Sequence, residues 1–137
     1  MNLKDPKLLR QQCYIDGTWL DADSGEKIQV TNPADSSVIG TVPRMGAAET
    51  RRAIEAAGRA FPAWSAKLAK ERADILRKWH DLMLANTDDL GMLMTAEQGK
   101  PLAEAKGEVV YGASFIEWFA EEGKRIYGDV IPPHGAD

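Results

Sequence analysis

The spacing of apolar residues changes near Gly46, and this change constrains the fold more than any other feature of the chain. Before Gly46, apolar and polar residues alternate with a period of two, which is typical of strands. After Gly46 the period rises to about three and a half, which is typical of helices. We therefore predict strands and turns over residues 1–45, helices over residues 46–128, and the start of an extended segment over residues 129–137. The chain is expected to be mainly helical, with short N-terminal β-strands.

Two turns divide the strand region. Asp16 and Gly17, within CYIDGTWL, predict a tight hairpin, because both central residues of such a turn take a positive φ. Glycine adopts that conformation freely, and aspartate tolerates it. Asn32 and Pro33 predict the next turn, with a strand before it in KIQVT and another after it in SVIGTVP.

The helix boundaries are marked by capping residues and prolines. Glu49 lies three residues after Gly46, a spacing typical of a capped helix start, and Pro62 is predicted to end this first helix. A second helix is predicted over residues 68–85. Thr87 is predicted to be the N-cap of the third, with two aspartates in its first turn.

The sequence Gly99-Lys100-Pro101 predicts a corner between the third and fourth helices. Glycine can adopt the left-handed conformation that closes a helix, and proline is well suited to open the next one. The fourth helix is predicted to end at Gly128 and to bury a stripe made of Val109, Ala113, Ile116 and Ala120.

Composition excludes several functional classes. The net charge of −4, with 17 basic residues interleaved among 21 acidic ones, argues against nucleic-acid binding, which requires a clustered basic surface. The sequence lacks a secretory signal and the run of about 18 apolar residues that a membrane helix needs. The single cysteine, Cys13, excludes an internal disulfide and fits a reducing compartment. We predict a soluble, cytoplasmic protein.

The chain contains no complete set of catalytic residues. Cys13 lies in a predicted strand without an activating environment, and His80 and His134 are 54 positions apart without paired cysteines. Glu121 and Arg125 are four residues apart, which predicts an ion pair on an exposed helix face rather than an acid–base site. We therefore predict no catalytic and no cofactor-binding residue in this chain.

Several segments together resemble the opening of the aldehyde dehydrogenase superfamily. They are YIDGTWL, VTNPAD, VIGTVP, AIEAAGRAFPAWSA, ERADILRKWHDLM and TAEQGKPLAEAKGEV. The segment ASFIEWFAEEGKRIYGDVIP resembles bacterial NAD(P)-dependent succinate-semialdehyde dehydrogenases and their semialdehyde relatives. The resemblance extends over essentially the whole chain, in order.

This resemblance implies an α/β parent enzyme with a Rossmann-like cofactor domain, of which residues 1–137 would be the N-terminal part. The parent would oxidise succinate semialdehyde to succinate with NAD or NADP, through a thioester on a cysteine nucleophile. The nucleophile, the general-base glutamate and the glycine-rich cofactor turn would all lie outside this chain, and Cys13 does not match the nucleophile. Residues 129–137 would begin the hairpin of an oligomerisation domain, giving a homodimer or homotetramer.

Two groups of residues are assigned through the resemblance. Tyr111, Phe115 and Trp118 would form a wall of the substrate tunnel, or alternatively would only pack against neighbouring helices. Thr31, through its carbonyl, and Glu97 would be ligands of a structural monovalent cation, since oxygen atoms suit a hard cation.

Two alternatives remain open. The parent could act on glutarate semialdehyde or betaine aldehyde instead. The chain could also be a truncated, non-catalytic module that only associates with other subunits.

Overall fold

Two antiparallel hairpins followed by four helices make up residues 1–135, the part of the chain that the computed structural model describes. The predicted extended segment 129–137 therefore has its last two residues outside the described range. After a short 3₁₀ turn at Pro6–Leu8, the strands are β1 (Cys13–Ile15), β2 (Thr18–Leu20), β3 (Lys27–Thr31) and β4 (Val38–Pro43). The helices are α1 (Ala47–Ser65), α2 (Ala69–Ala85), α3 (Thr87–Gln98) and α4 (Leu102–Glu122). The mainly helical chain with short N-terminal strands is confirmed.

The first hairpin has the predicted turn. Asp16 and Gly17 have φ values of 51° and 79°, and Ile15 pairs with Thr18 directly across the turn. In the second hairpin β3 pairs with β4, with a shift in register between Val30 and Thr31. The two hairpins form separate two-stranded sheets.

Helix α4 forms the centre of the helical layer, because it packs against both α2 and α3. Its buried residues are mostly alanines, so the helices pack closely at these positions: Ala105, Val109, Ala113 and Ala120. Three of the four residues of the predicted stripe are therefore buried, and Ile116 is half-buried.

The predicted corner between α3 and α4 is confirmed. Gly99 has a φ of 79°, and its N–H donates to the carbonyl of Thr95, so it closes α3 in the left-handed conformation. Pro101 is the N-cap that precedes α4.

Three predicted helix boundaries are wrong. Pro62 lies inside α1, which continues to Ser65, because a proline this near the end removes only one hydrogen bond from the last turn. Thr87 is the first residue of α3 rather than its N-cap, which is Asn86, and its hydroxyl donates to the carbonyl of Leu84.

The third error concerns the end of α4. This helix ends at Glu122, six residues before Gly128. The N–H groups of Lys124 and Arg125 bond to carbonyls three residues back, which is the tighter geometry of a fraying helix end. Within the described residues, 123–135 contain no regular helix or strand. No helix of residues 1–135 is long and apolar enough to cross a membrane.

Candidate functional site

Tyr111, Phe115 and Trp118 lie on the side of α4 opposite its buried stripe. Helical residues repeat every 3.6 positions, so these three aromatic residues share one face of α4. Their exposed fractions are 62%, 47% and 63%. The rings of Tyr111 and Phe115 meet edge to face, with centroids 4.8 Å apart, which is a favoured aromatic geometry. We call these three residues the aromatic face.

A shallow open groove of about 630 Å³ runs along the C-terminal half of this face. Phe115 and Trp118 line it, whereas Tyr111 lies outside it. The remaining lining residues are Ser114, Glu117, Phe119, Glu121, Glu122 and Arg125. Such a surface can exclude water from an organic molecule, and the charged groups of the groove are already in ion pairs. The aromatic face is therefore suited to form one wall of a site.

A cluster of charged side chains fixes α4 against α2. The Arg77 guanidinium contacts Glu117 at 2.6 Å and Glu121 at 3.4 Å. The hydrogen bond to Glu117 raises the pKa of Arg77, and the Lys124 ammonium lowers the pKa of Glu121. These partly exposed ion pairs add to the close packing of the buried alanines between α4 and α2.

The predicted ion pair between Glu121 and Arg125 is wrong. Arg125 pairs instead with Glu122, and Glu121 pairs with Arg77 and Lys124. The contact with Arg77 joins residues 44 positions apart on different helices. Helical periodicity along one segment cannot reveal such a partner, because it carries no information about which helices pack together.

The histidines and the cysteine do not come together as a site. His80 is buried on α2, with its Nδ1 3.0 Å from Asp81 and its Nε2 3.8 Å from Glu117. His134 is exposed, and Cys13 is half-buried in β1. Among residues 1–135, no three His, Cys, Asp or Glu side chains are grouped so that they could hold a metal ion.

The predicted cation ligands lie on two elements that contact each other. Thr31 ends β3, Glu97 lies near the end of α3, and α3 packs against β3. One carbonyl and one carboxylate supply two oxygen atoms, whereas hard cations take about six or more. Among the described residues, Thr95 has a buried hydroxyl without a hydrogen-bond partner. It lies two residues before Glu97, and residues two apart on a helix face different directions, so this hydroxyl does not add a third oxygen to the pair. The described residues alone do not fit a complete cation site, and the assignment of Thr31 and Glu97 stays a prediction.

Residues 1–135 do not show the arrangement in which nicotinamide dinucleotides are commonly bound. Such cofactors bind at the carboxyl ends of parallel strands, beside a glycine-rich turn into a helix. The strands described here are antiparallel, and the turn from β4 into α1 contains one glycine, Gly46.

Comparison with known proteins gives the family. Residues 19–137 match the aldehyde dehydrogenase family. Over all 137 residues the chain is 68% identical to the glutarate-semialdehyde dehydrogenase of Pseudomonas aeruginosa and 67% identical to an NADP(+) succinate-semialdehyde dehydrogenase of Escherichia coli. The crystal structure of succinate-semialdehyde dehydrogenase from Burkholderia pseudomallei matches 98% of the chain with a TM-score of 0.94 and 61% identity. The chain belongs to the aldehyde dehydrogenase family.

The match covers only part of each relative. The chain spans 28% of the length of both enzymes and 28% of the Burkholderia chain. The resemblance to semialdehyde dehydrogenases is thereby confirmed, and most of each relative has no counterpart in this chain.

Proposed function

We propose that this chain is the N-terminal part of an NAD(P)-dependent semialdehyde dehydrogenase, in which α4 forms a wall of the substrate tunnel. The aromatic face is the observation that carries this proposal. It is exposed on a helix whose other side is fully packed, in a chain 67–68% identical to semialdehyde dehydrogenases along its whole length. Three aromatic side chains left in water are unfavourable unless something covers them.

The role of the aromatic face follows from the chemistry of aldehyde oxidation. A thioester intermediate must be protected from premature contact with bulk water, and apolar walls provide that exclusion. Rigid aromatic side chains also hold a small substrate in one orientation, which lowers the entropic part of the barrier. The cysteine nucleophile, the general-base glutamate and the cofactor site are proposed to lie in the rest of the parent enzyme.

The proposal is tested by substituting the aromatic face in the full-length enzyme. We expect Trp118→Ala to lower kcat/KM for the aldehyde by about tenfold, equivalent to about 1.4 kcal/mol. The matched control is Trp79→Ala, since Trp79 is exposed to a similar extent on the neighbouring helix α2. An equal loss of activity in both variants would assign Trp118 to packing alone.

The substrate is proposed to be succinate semialdehyde or glutarate semialdehyde. Identities of 67% and 68% do not separate them, so kcat/KM for both must be compared, with NAD and with NADP. Both substrates end in a carboxylate, whereas betaine aldehyde ends in a cation. A preference for betaine aldehyde would contradict the proposal.

The alternative, a truncated association module, makes a different prediction about size. The intact mass of the gene product in its native cell would then be 15.0 kDa, the mass of this chain. A much larger mass, with cofactor-dependent turnover in the cytoplasmic fraction, is the result we expect.

A further inference from the structure

The N-terminal segment, residues 1–12, is held to α3 by a buried carboxylate. Asp89 is 3% exposed, and its two oxygens accept the backbone N–H groups of Lys4 at 3.0 Å and Asp5 at 2.8 Å. A carboxylate that accepts two backbone hydrogen bonds is strongly stabilised in its charged form. The backbone N–H groups of Asp5 and Lys4 accordingly lower the pKa of Asp89.

The neighbouring carboxylate of α3, Asp88, pairs with both the segment and α4. Asp88 contacts the ammonium of Lys4 at 2.8 Å and that of Lys106 at 2.7 Å. The two ammonium groups, first Lys106 and then Lys4, lower the pKa of Asp88 from 3.8 to about 2. This end of the segment therefore contacts α3 at two neighbouring carboxylates, one of which also pairs with α4.

The other end of the segment is attached to the strands. The side-chain oxygen of Gln11 accepts the N–H of Thr41 in β4 at 2.9 Å, and the side-chain amide of Gln12 donates to Asp21 at 2.9 Å. Between the two ends lies the 3₁₀ turn Pro6–Leu8, which is capped by the Asp5 carboxylate accepting from the N–H of Lys7. The proline and the capped turn restrict the backbone in the middle of this connection.

We propose that residues 1–12 act as a strap that couples the start of α3 to the edge of β4, so that freeing either end loosens the other. The coupling requires a stiff connection, since a flexible one would let each end open independently. Because the coupling is thermodynamic, it must act equally in both directions.

Amide hydrogen exchange of the full-length protein tests the strap. Asp89→Asn replaces one acceptor oxygen with a donor and so removes one of the two hydrogen bonds that hold the segment to α3. We expect the amides of Lys4 and Asp5 to exchange at least tenfold faster. The amide of Thr41 is expected to exchange faster as well. Asp74→Asn is the matched control, since Asp74 pairs with Lys70 on the exposed face of α2, away from the segment. It is expected to leave all three amides unchanged.

Gln11→Ala provides the reciprocal measurement at an exposed position, where folding is little at risk. We expect it to speed exchange at Lys4 and Asp5 although neither contacts Gln11. Faster exchange at one end only, in either variant, would overturn the proposal. If Asp89→Asn unfolds the protein, the result with Gln11→Ala decides alone.

Discussion

Gly99 lies directly against the ring of Pro33. A Cβ atom built on Gly99 would come within 2.9 Å of Pro33 Cγ, closer than such atoms approach in proteins. The corner between α3 and α4 is thus fitted onto the turn that joins β3 to β4. Two independent features require glycine at this position: its φ of 79° and its contact with Pro33.

Substituting this glycine should destabilise the protein. We expect Gly99→Ala to lower the free energy of unfolding by about 1–2 kcal/mol because of the left-handed conformation alone. The clash with Pro33 should add to this loss. Gly107→Ala is the control, because Gly107 lies within α4 with no atom near its missing Cβ. That variant should gain up to about 1 kcal/mol. Urea unfolding of both full-length variants measures the difference, and equal effects would contradict the fitted corner.

Acid should weaken the Asp88 contacts within a defined range. The pKa of Asp88 is about 2 in the folded protein, below the value of about 3.9 in an unfolded chain. Its stabilisation is therefore complete above about pH 4 and lost as the pH falls toward 2. The difference in melting temperature between wild type and Asp88→Asn should be constant near neutral pH and should shrink over this range. Lys106→Gln should remove most of the same pH dependence, and a difference that does not change with pH would contradict the assignment.

The isolated chain of 137 residues should behave as an incomplete fold. The chain leaves large apolar side chains in water, among them Phe61, Leu68, Trp79, Trp118 and Ile131. We expect self-association, binding of a hydrophobic dye, and no oxidation of succinate semialdehyde with NAD or NADP. A monomer that melts in a sharp transition and does not increase the fluorescence of the dye would contradict the first two expectations. A rise in reduced cofactor that scales with chain concentration would contradict the third.

The end of the described chain should contribute to subunit association. Val130 and Ile131 are almost fully exposed, which fits the prediction that residues 129–137 begin an oligomerisation hairpin. We expect Val130→Asp with Ile131→Asp to reduce the mass of the full-length oligomer in light scattering. Val38→Asp, at an exposed position on β4, is the control and should leave the mass unchanged. An unchanged mass in the double variant would refute the role in association.

Local patterns predicted local features well and contacts between elements poorly. Three features could be predicted because each depends on the backbone preferences of a few adjacent residues. They are the turn at Asp16 and Gly17, the cap at Glu49 and the corner at Gly99. The carboxylate of Glu49 illustrates the limit. It accepts the N–H of Gly46 as predicted, but also that of Asp23, 26 residues away. The contacts of Asp89 with the strap and of Arg77 with Glu117 likewise depend on packing that periodicity does not encode.

Under the proposed tunnel role of the aromatic face, the division of α4 into an alanine side and an aromatic side has a consequence for redesign of substrate range. Because alanines hold the helix in place, changing Tyr111, Phe115 and Trp118 alters side-chain volume without altering the contacts with α2 and α3. A combinatorial library at these three positions would therefore sample differently shaped binding surfaces on an unchanged scaffold.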